Sequence, residues 1–137
     1  PPPPPPPPPF FFQPDPGKRH SSTSRGLGDV YKRQVFRYSA ITWNAHRIHY
    51  DADYSRDIEG YPATVQNGGL TMTLMVGSAL KRAPDKLDTF NVRLTRPVHV
   101  GDTIDICGAI TDQNTMNCWV SDKDGAQCGI MELGFKK

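Results

Sequence analysis

Residues 67–95 read NGGLTMTLMVGSALKRAPDKLDTFNVRLT, and a change of period inside this stretch decides the fold. In its first half Leu70, Leu74, Met75, Ala79 and Leu80 fall at helical spacing. The run opens at Asn67 or Gly68 and stops near Lys81 and Arg82, with Pro84 just beyond, as helices commonly end. Its apolar breadth and the small residues Gly77, Ser78 and Ala79 predict a largely buried helix. In the second half Phe90, Val92 and Leu94 alternate with Asn91, Arg93 and Thr95, the period of a half-buried strand. Strand-like stretches follow at 98–100, before the turn Gly101-Asp102, at 103–111 through Ile104 and Ile106, and at 117–121. Asp122-Lys123-Asp124-Gly125 reads as a hairpin turn into a last strand over 126–135. One buried helix followed by an antiparallel meander predicts an α+β architecture in which a sheet wraps around a long central helix.

Upstream, residues 35–57 carry Phe36, Tyr38, Trp43, Tyr50 and Tyr54 without clean alternation, and read as a compact, partly helical loop region. Glu59-Gly60-Tyr61-Pro62 punctuates it. Further back the character changes: residues 1–9 are all proline, which forms polyproline II or stays disordered. Residues 24–34, SRGLGDVYKRQ, resemble a translated transposon-type sequencing adaptor. Residues 1–34 are therefore read as an artefactual leader and 35–137 as one domain whose authentic N-terminus is missing. The other reading of the proline run is a natural linker or SH3-type ligand.

Removing the leader changes the charge argument. It holds five of the 16 Lys and Arg residues but two of the 14 acids, leaving eleven bases against twelve acids. A nucleic-acid partner is not expected from such a domain. Nor is a membrane, since no apolar run approaches the ~18 residues that span a bilayer. Cys107, Cys118 and Cys128 are odd in number and lack C-x-x-C spacing, so buried free thiols and a cytoplasmic location are expected.

The densest cluster of polar functional groups is Thr42-Trp43-Asn44-Ala45-His46-Arg47-Ile48-His49-Tyr50-Asp51. With Phe36-Arg37-Tyr38-Ser39-Ala40-Ile41 before it and Glu59-Gly60-Tyr61-Pro62 after it, this block resembles the MaoC-like hotdog hydratases. Within them it is similar to the 3-hydroxyacyl-thioester dehydratases and mesaconyl-CoA hydratases, and Arg96-Pro97-Val98 and Val100-Gly101-Asp102-Thr103 extend the likeness. The resemblance implies a hotdog fold and reversible hydration of a 2-enoyl thioester. Coenzyme A or an acyl carrier would enter as part of the substrate, with no metal or redox cofactor. In that branch the block often forms half of a double hotdog, and residue 35 begins where a first strand is expected. The sheet is therefore predicted to lack an edge strand, and a second hotdog, from the same chain or a homodimer mate, to cover part of that surface.

The family carries an Asp five residues before its catalytic His, which maps those positions onto Asn44 and His49. An amide is no base, so the resemblance implies that Asn44 orients a water while His49 moves the protons. An imidazole, with an unperturbed pKa of about 6.5, suits both removing and returning a proton near neutrality. Gly68 and Gly69, at the start of the central helix, are read as the site for the thioester oxyanion. Without a Cβ the backbone approaches closely, and the first N–H groups and the helix dipole favour negative charge. Asn67 stands where the family usually has His, and is read as a substrate-side residue or helix cap. Arg47, toward coenzyme A phosphates or a substrate carboxylate, and Tyr61 complete the candidate substrate-binding set.

Plainer readings stand beside these. Arg47 suits a surface salt bridge, Asp51 a helix cap as well as a partner for His49, and His46 packing or capping. His99 reads as an outward-facing strand residue, and Met72 and Met75 as core or acyl-tunnel lining. A metal pair of His46 and His49 lacks a third ligand at useful spacing. Two other functions suit the same fold. A thioesterase needs a carboxylate near the helix start, where the nearest acids, Asp57 and Glu59, precede the Gly-Tyr-Pro turn. A non-catalytic hotdog half suits the neutral Asn44 and Asn67.

Overall fold

The computed structural model describes residues 10–12, 27–82 and 86–136. The polyproline reading of residues 1–9 falls outside them. In chain order the elements are β1 (Phe10–Phe12), α1 (Leu27–Ile41), a single 3₁₀ turn at Arg47–His49, α2 (Ala52–Asp57), α3 (Gly68–Leu80), β2 (Lys86–Leu94), β3 (Ile104–Asp112), β4 (Thr115–Asp122) and β5 (Gln127–Lys136). They fall into two compact units. One holds β1, α3 from Thr73 onward, and β2 to β5. The other holds α1, the 3₁₀ turn, α2, the start of α3 up to Met72, and the segment Pro97–Thr103.

The first unit is an antiparallel sheet of order β1-β3-β4-β5-β2. Alternation fixes its register. Met116, Cys118 and Val120 of β4 are buried, as are Met131 and Leu133 of β5, while Asn117, Ile130 and Glu132 on the other face are exposed. Cys118 faces Met131 and Met116 faces Leu133, so a slip of one residue would turn this apolar set to solvent. The hairpin between β4 and β5 forms where its residues predict. Gly125 takes φ 79°, and the Asp122 carboxylate accepts the N–H groups of Asp124 and Ala126 at 3.0 and 2.9 Å.

Residues 86–136 supply four strands, short of a first strand as expected. The place beside β3 is nevertheless occupied by β1, with Phe10 opposite Gly108 and Phe12 opposite Ile106, so the edge predicted to stand unpaired is paired over that stretch. α1 likewise runs across the 34/35 boundary. α3 forms as predicted, but it is buried along one stripe and not all round. Thr71, Met75 and Ala79 are buried, whereas Leu74 and Leu80 are 41% and 43% exposed, because each lies about 100° around the helix from that stripe. Residues 98–100 join no strand of the sheet, and His99 makes an isolated bridge to Val65. The three cysteines are buried, and burial, then the neighbouring Cys107, pushes the Cys118 thiol up to about 11. Among the described residues no helix is long and apolar enough to cross a membrane.

Candidate active site

The second unit carries the whole candidate site, and its first device is the end of α1. Trp43 adopts φ 55°, its N–H donates to Ala40 O at 3.3 Å, and the next amide, Asn44 N–H, reaches back to Ser39 O at 2.9 Å. This pair of bonds is a Schellman ending, which usually places glycine where Trp43 stands. It turns the chain back so that residues 44–49 run beside the helix they have just left. Asn44 Oδ1 then accepts the His46 N–H at 3.1 Å, and the 3₁₀ turn follows, with His49 N–H bonded to His46 O at 3.2 Å.

His49 is buried, with 9% of its surface exposed, and its Nδ1 lies 2.8 Å from Val65 O. A carbonyl oxygen only accepts, so in the neutral ring Nδ1 carries the hydrogen and Nε2 keeps its lone pair. The same Val65 donates its N–H to Ile48 O at 2.8 Å, and Ser55 Oγ donates to that oxygen at 3.0 Å. Val65 therefore grips the His49 segment through both its backbone groups, which fixes the plane of the ring as well as its tautomer. The His46 ring meets the His49 ring edge-on at 5.8 Å.

The flanking charges are engaged with one another. Asp51 caps α2 by accepting Tyr54 N–H at 2.9 Å and receives Arg47 at 2.7 Å. The Tyr54 amide first, and then Arg47, hold its carboxyl below the usual aspartate range. The Arg47 guanidinium also lies 4.2 Å over the Tyr54 ring. Of the two roles open to Asp51, capping is the one observed, and Arg47 makes the surface salt bridge. Tyr61 is half-buried, its ring 5.9 Å from that of His99. His99 is not the outward-facing strand residue expected. A bridge, unlike a strand, imposes no alternation, and the ring turns inward, with Nε2 enclosed and lacking a hydrogen-bond partner among the described residues.

At the start of α3, Asn67 is buried and its Nδ2 donates to Ser39 Oγ at 3.0 Å. The Asn67 carbonyl accepts the N–H groups of Leu70 and Thr71. The side chain thus ties α3 to α1 and does not cap the helix as expected, while Gln66 Nε2 donates to Thr71 Oγ1 at 2.8 Å. A Cβ added to Gly69 would lie 2.1 Å from the Tyr38 hydroxyl. The bare backbone at Gly69 therefore seats a phenol from α1, a contact that sequence reasoning missed although Tyr38 and Ser39 both stand in the quoted block. Three peptide steps separate Val65 from Gly68, at most about 11 Å of chain, so the ring of His49 is tethered near the helix start.

The family described as hydroxyacyl-thioester dehydratase type 2 matches residues 12–100. The mesaconyl-C(4)-CoA hydratase of Chloroflexus aurantiacus is 41% identical over 66 residues, 48% of this chain and 24% of that protein. The mitochondrial hydroxyacyl-thioester dehydratase type 2 of Schizosaccharomyces pombe is 36% identical over 89 residues, 63% of this chain and 28% of that one. The chain spans about a quarter of the length of these curated relatives. Among solved structures, the unliganded R-hydratase from Pseudomonas aeruginosa aligns with a TM-score of 0.65 at 20% identity, over 77% of this chain and 74% of that one, which shows the hotdog fold.

Proposed function

The chain belongs to the hydroxyacyl-thioester dehydratase type 2 family, and on that premise we propose that it interconverts 2-enoyl and 3-hydroxyacyl thioesters with His49 as acid and base. The observation that carries this reading is the bond from His49 Nδ1 to Val65 O, which leaves Nε2 as the basic nitrogen. In hydration Nε2 takes a proton from water as the water oxygen bonds to C3. The C2–C3 π electrons move onto the thioester oxygen as an enolate, and the same nitrogen then returns the proton to C2. The step adds the elements of water across C2–C3 with no net oxidation or reduction, so the reaction as written needs no redox cofactor. The enolate oxygen is met at the positive end of α3 by the amides of Gly68 and Gly69, one such donor being worth about 2.7–4 kcal/mol in a transition state. Asn44, whose Oδ1 already holds the His46 amide, would present its Nδ2 to the water. Tyr61 and Asn67 are assigned to the substrate side. Arg47 would meet a carrier phosphate by exchanging the Asp51 carboxylate for it. A second hotdog, from a homodimer mate or further chain, completes the proposed assembly.

The test is to incubate the full chain with crotonyl-CoA and with mesaconyl-CoA, following enoyl absorbance and free thiol together. Absorbance is expected to fall without thiol release, and His49→Ala to remove the activity. No turnover of either substrate, or turnover indifferent to His49→Ala, rules the reading out. Thiol release in its place identifies a thioesterase. The engaged Asn44 favours one rival, a non-catalytic half, which predicts no turnover together with tight acyl-CoA binding.

A further inference from the structure

The carbonyl that orients His49 belongs to a residue outside every regular strand. Val65 lies between α2 and α3, and two rungs hold it: Gln66 N–H donates to Val98 O at 2.7 Å, and Val100 N–H donates to Thr64 O at 2.8 Å. In an extended chain alternate residues point their backbone groups to opposite sides. Rungs at 64 and 66 toward 98–100 therefore leave the N–H and C=O of Val65 facing Ile48 and His49, as observed. The supporting segment 98–100 is itself outside the sheet and is closed by a single side chain. Asp102 Oδ2 accepts His99 N–H at 2.9 Å and lies 3.3 Å from His99 Nδ1, while Asp102 N–H donates to His99 O at 3.1 Å. One carboxylate oxygen thus holds both the backbone and the ring of His99, the residue bridged to Val65.

We infer that Asp102 is a positioning residue for His49: its carboxylate closes the 99–102 turn, the turn keeps Val65 in register, and the Val65 carbonyl fixes the tautomer and plane of the imidazole. The inference rests on the reading of His49 as the acid and base. Asp102 acts through two backbone rungs and meets no substrate.

The experiment compares the full chain with Asp102→Ala and Asp102→Asn, by kcat and KM on crotonyl-CoA and by nitrogen NMR of histidine-labelled protein, the His49 signals being assigned with His49→Ala. Asp102→Ala is expected to lower kcat about tenfold or more with KM little changed, as loss of an orienting group does. It is also expected to convert the single Nδ1–H tautomer of His49 into a mixture. Asp102→Asn, whose Oδ1 still accepts the His99 amide, is expected to recover most of both. An Asp102→Ala protein that merely melts earlier, with kcat per folded molecule and the His49 tautomer unchanged, overturns the inference. If Asp102→Ala does not fold, Asp102→Ser, which keeps an acceptor for one of the two bonds, takes its place under the same criteria. Absence of turnover in the unmodified chain would end the hydratase reading yet leave the tautomer comparison standing, so the two failures are separable.

Discussion

His49 and Asn44 stand five residues apart and are held in opposite ways. His49 is buried, its ring bonded to Val65 and its neighbour Ile48 bonded to Val65 and Ser55, so segments distant in sequence agree on its orientation. Asn44 is exposed, and its side chain holds the amide of His46 two residues on, within its own turn. The contrast separates a position that the fold orients from one that orders its own loop. Preorganisation of the first kind is what proton transfer needs, since geometry comes before acidity in deciding whether a base acts.

The sharpest way to break the comparison is His49→Ala. General acid–base groups contribute roughly 100- to 10,000-fold, and a loss of that size in kcat is expected. Enoyl-thioester kinetics on protein shown to be folded by circular dichroism would check it. A variant within about threefold of the unmodified chain would erase the distinction between the two positions.

The next largest effect is expected at the start of α3. Gly69→Ala places a methyl 2.1 Å from the Tyr38 hydroxyl, so the phenol or the helix must shift. Overpacking of this kind costs about 1–3 kcal/mol, readable as a lower denaturant midpoint. Tyr38→Phe in the same chain is expected to recover part of it, because the hydroxyl is the atom closest to the added carbon. If Gly69→Ala is neutral, the helix start is loosely built and only the His49 side of the site is organised at long range.

What the sequence disclosed follows the same line between local and distant. α3, the strand running through Ile104 and Ile106, and the Asp122–Gly125 hairpin were legible because each is set by period or turn chemistry over a few residues. His49 was singled out through its block. Its partner was not, since the group that orients it is a main-chain carbonyl, and a carbonyl at Val65 looks like any other in a sequence. The inward turn of His99 was hidden because a period-two reading assumes a strand, and residues 98–100 form a single bridge. The Tyr38–Gly69 and Ser39–Asn67 contacts span about thirty residues, beyond any local pattern.

Asn44→Ala sharpens the comparison from its weaker side. Loss of the bond to the His46 amide is expected to cost about 1 kcal/mol of stability, the usual net worth of one hydrogen bond, with kcat changed only a few-fold. Asn44→Asp keeps the acceptor and is expected to preserve stability. A drop in kcat for Asn44→Ala as large as that of His49→Ala would place Asn44 in the chemistry on equal terms.

The smallest effect, and the one of opposite sign, is expected one residue earlier. Trp43 is 93% exposed and sits at φ 55°, a conformation that costs an L-residue roughly 1–2 kcal/mol, so its side chain gains little burial to offset that strain. Glycine removes the strain but gives up roughly 0.5–1 kcal/mol through its looser unfolded chain. Trp43→Gly should therefore stabilise the protein by about 0.5 kcal/mol, seen as a slightly higher denaturant midpoint. Because the Schellman ending at Trp43 sends Asn44 toward His46, a more stable protein with unaltered kcat would mean that this end of the loop serves its own folding. Destabilisation would mean instead that the indole contributes to the stability of this loop.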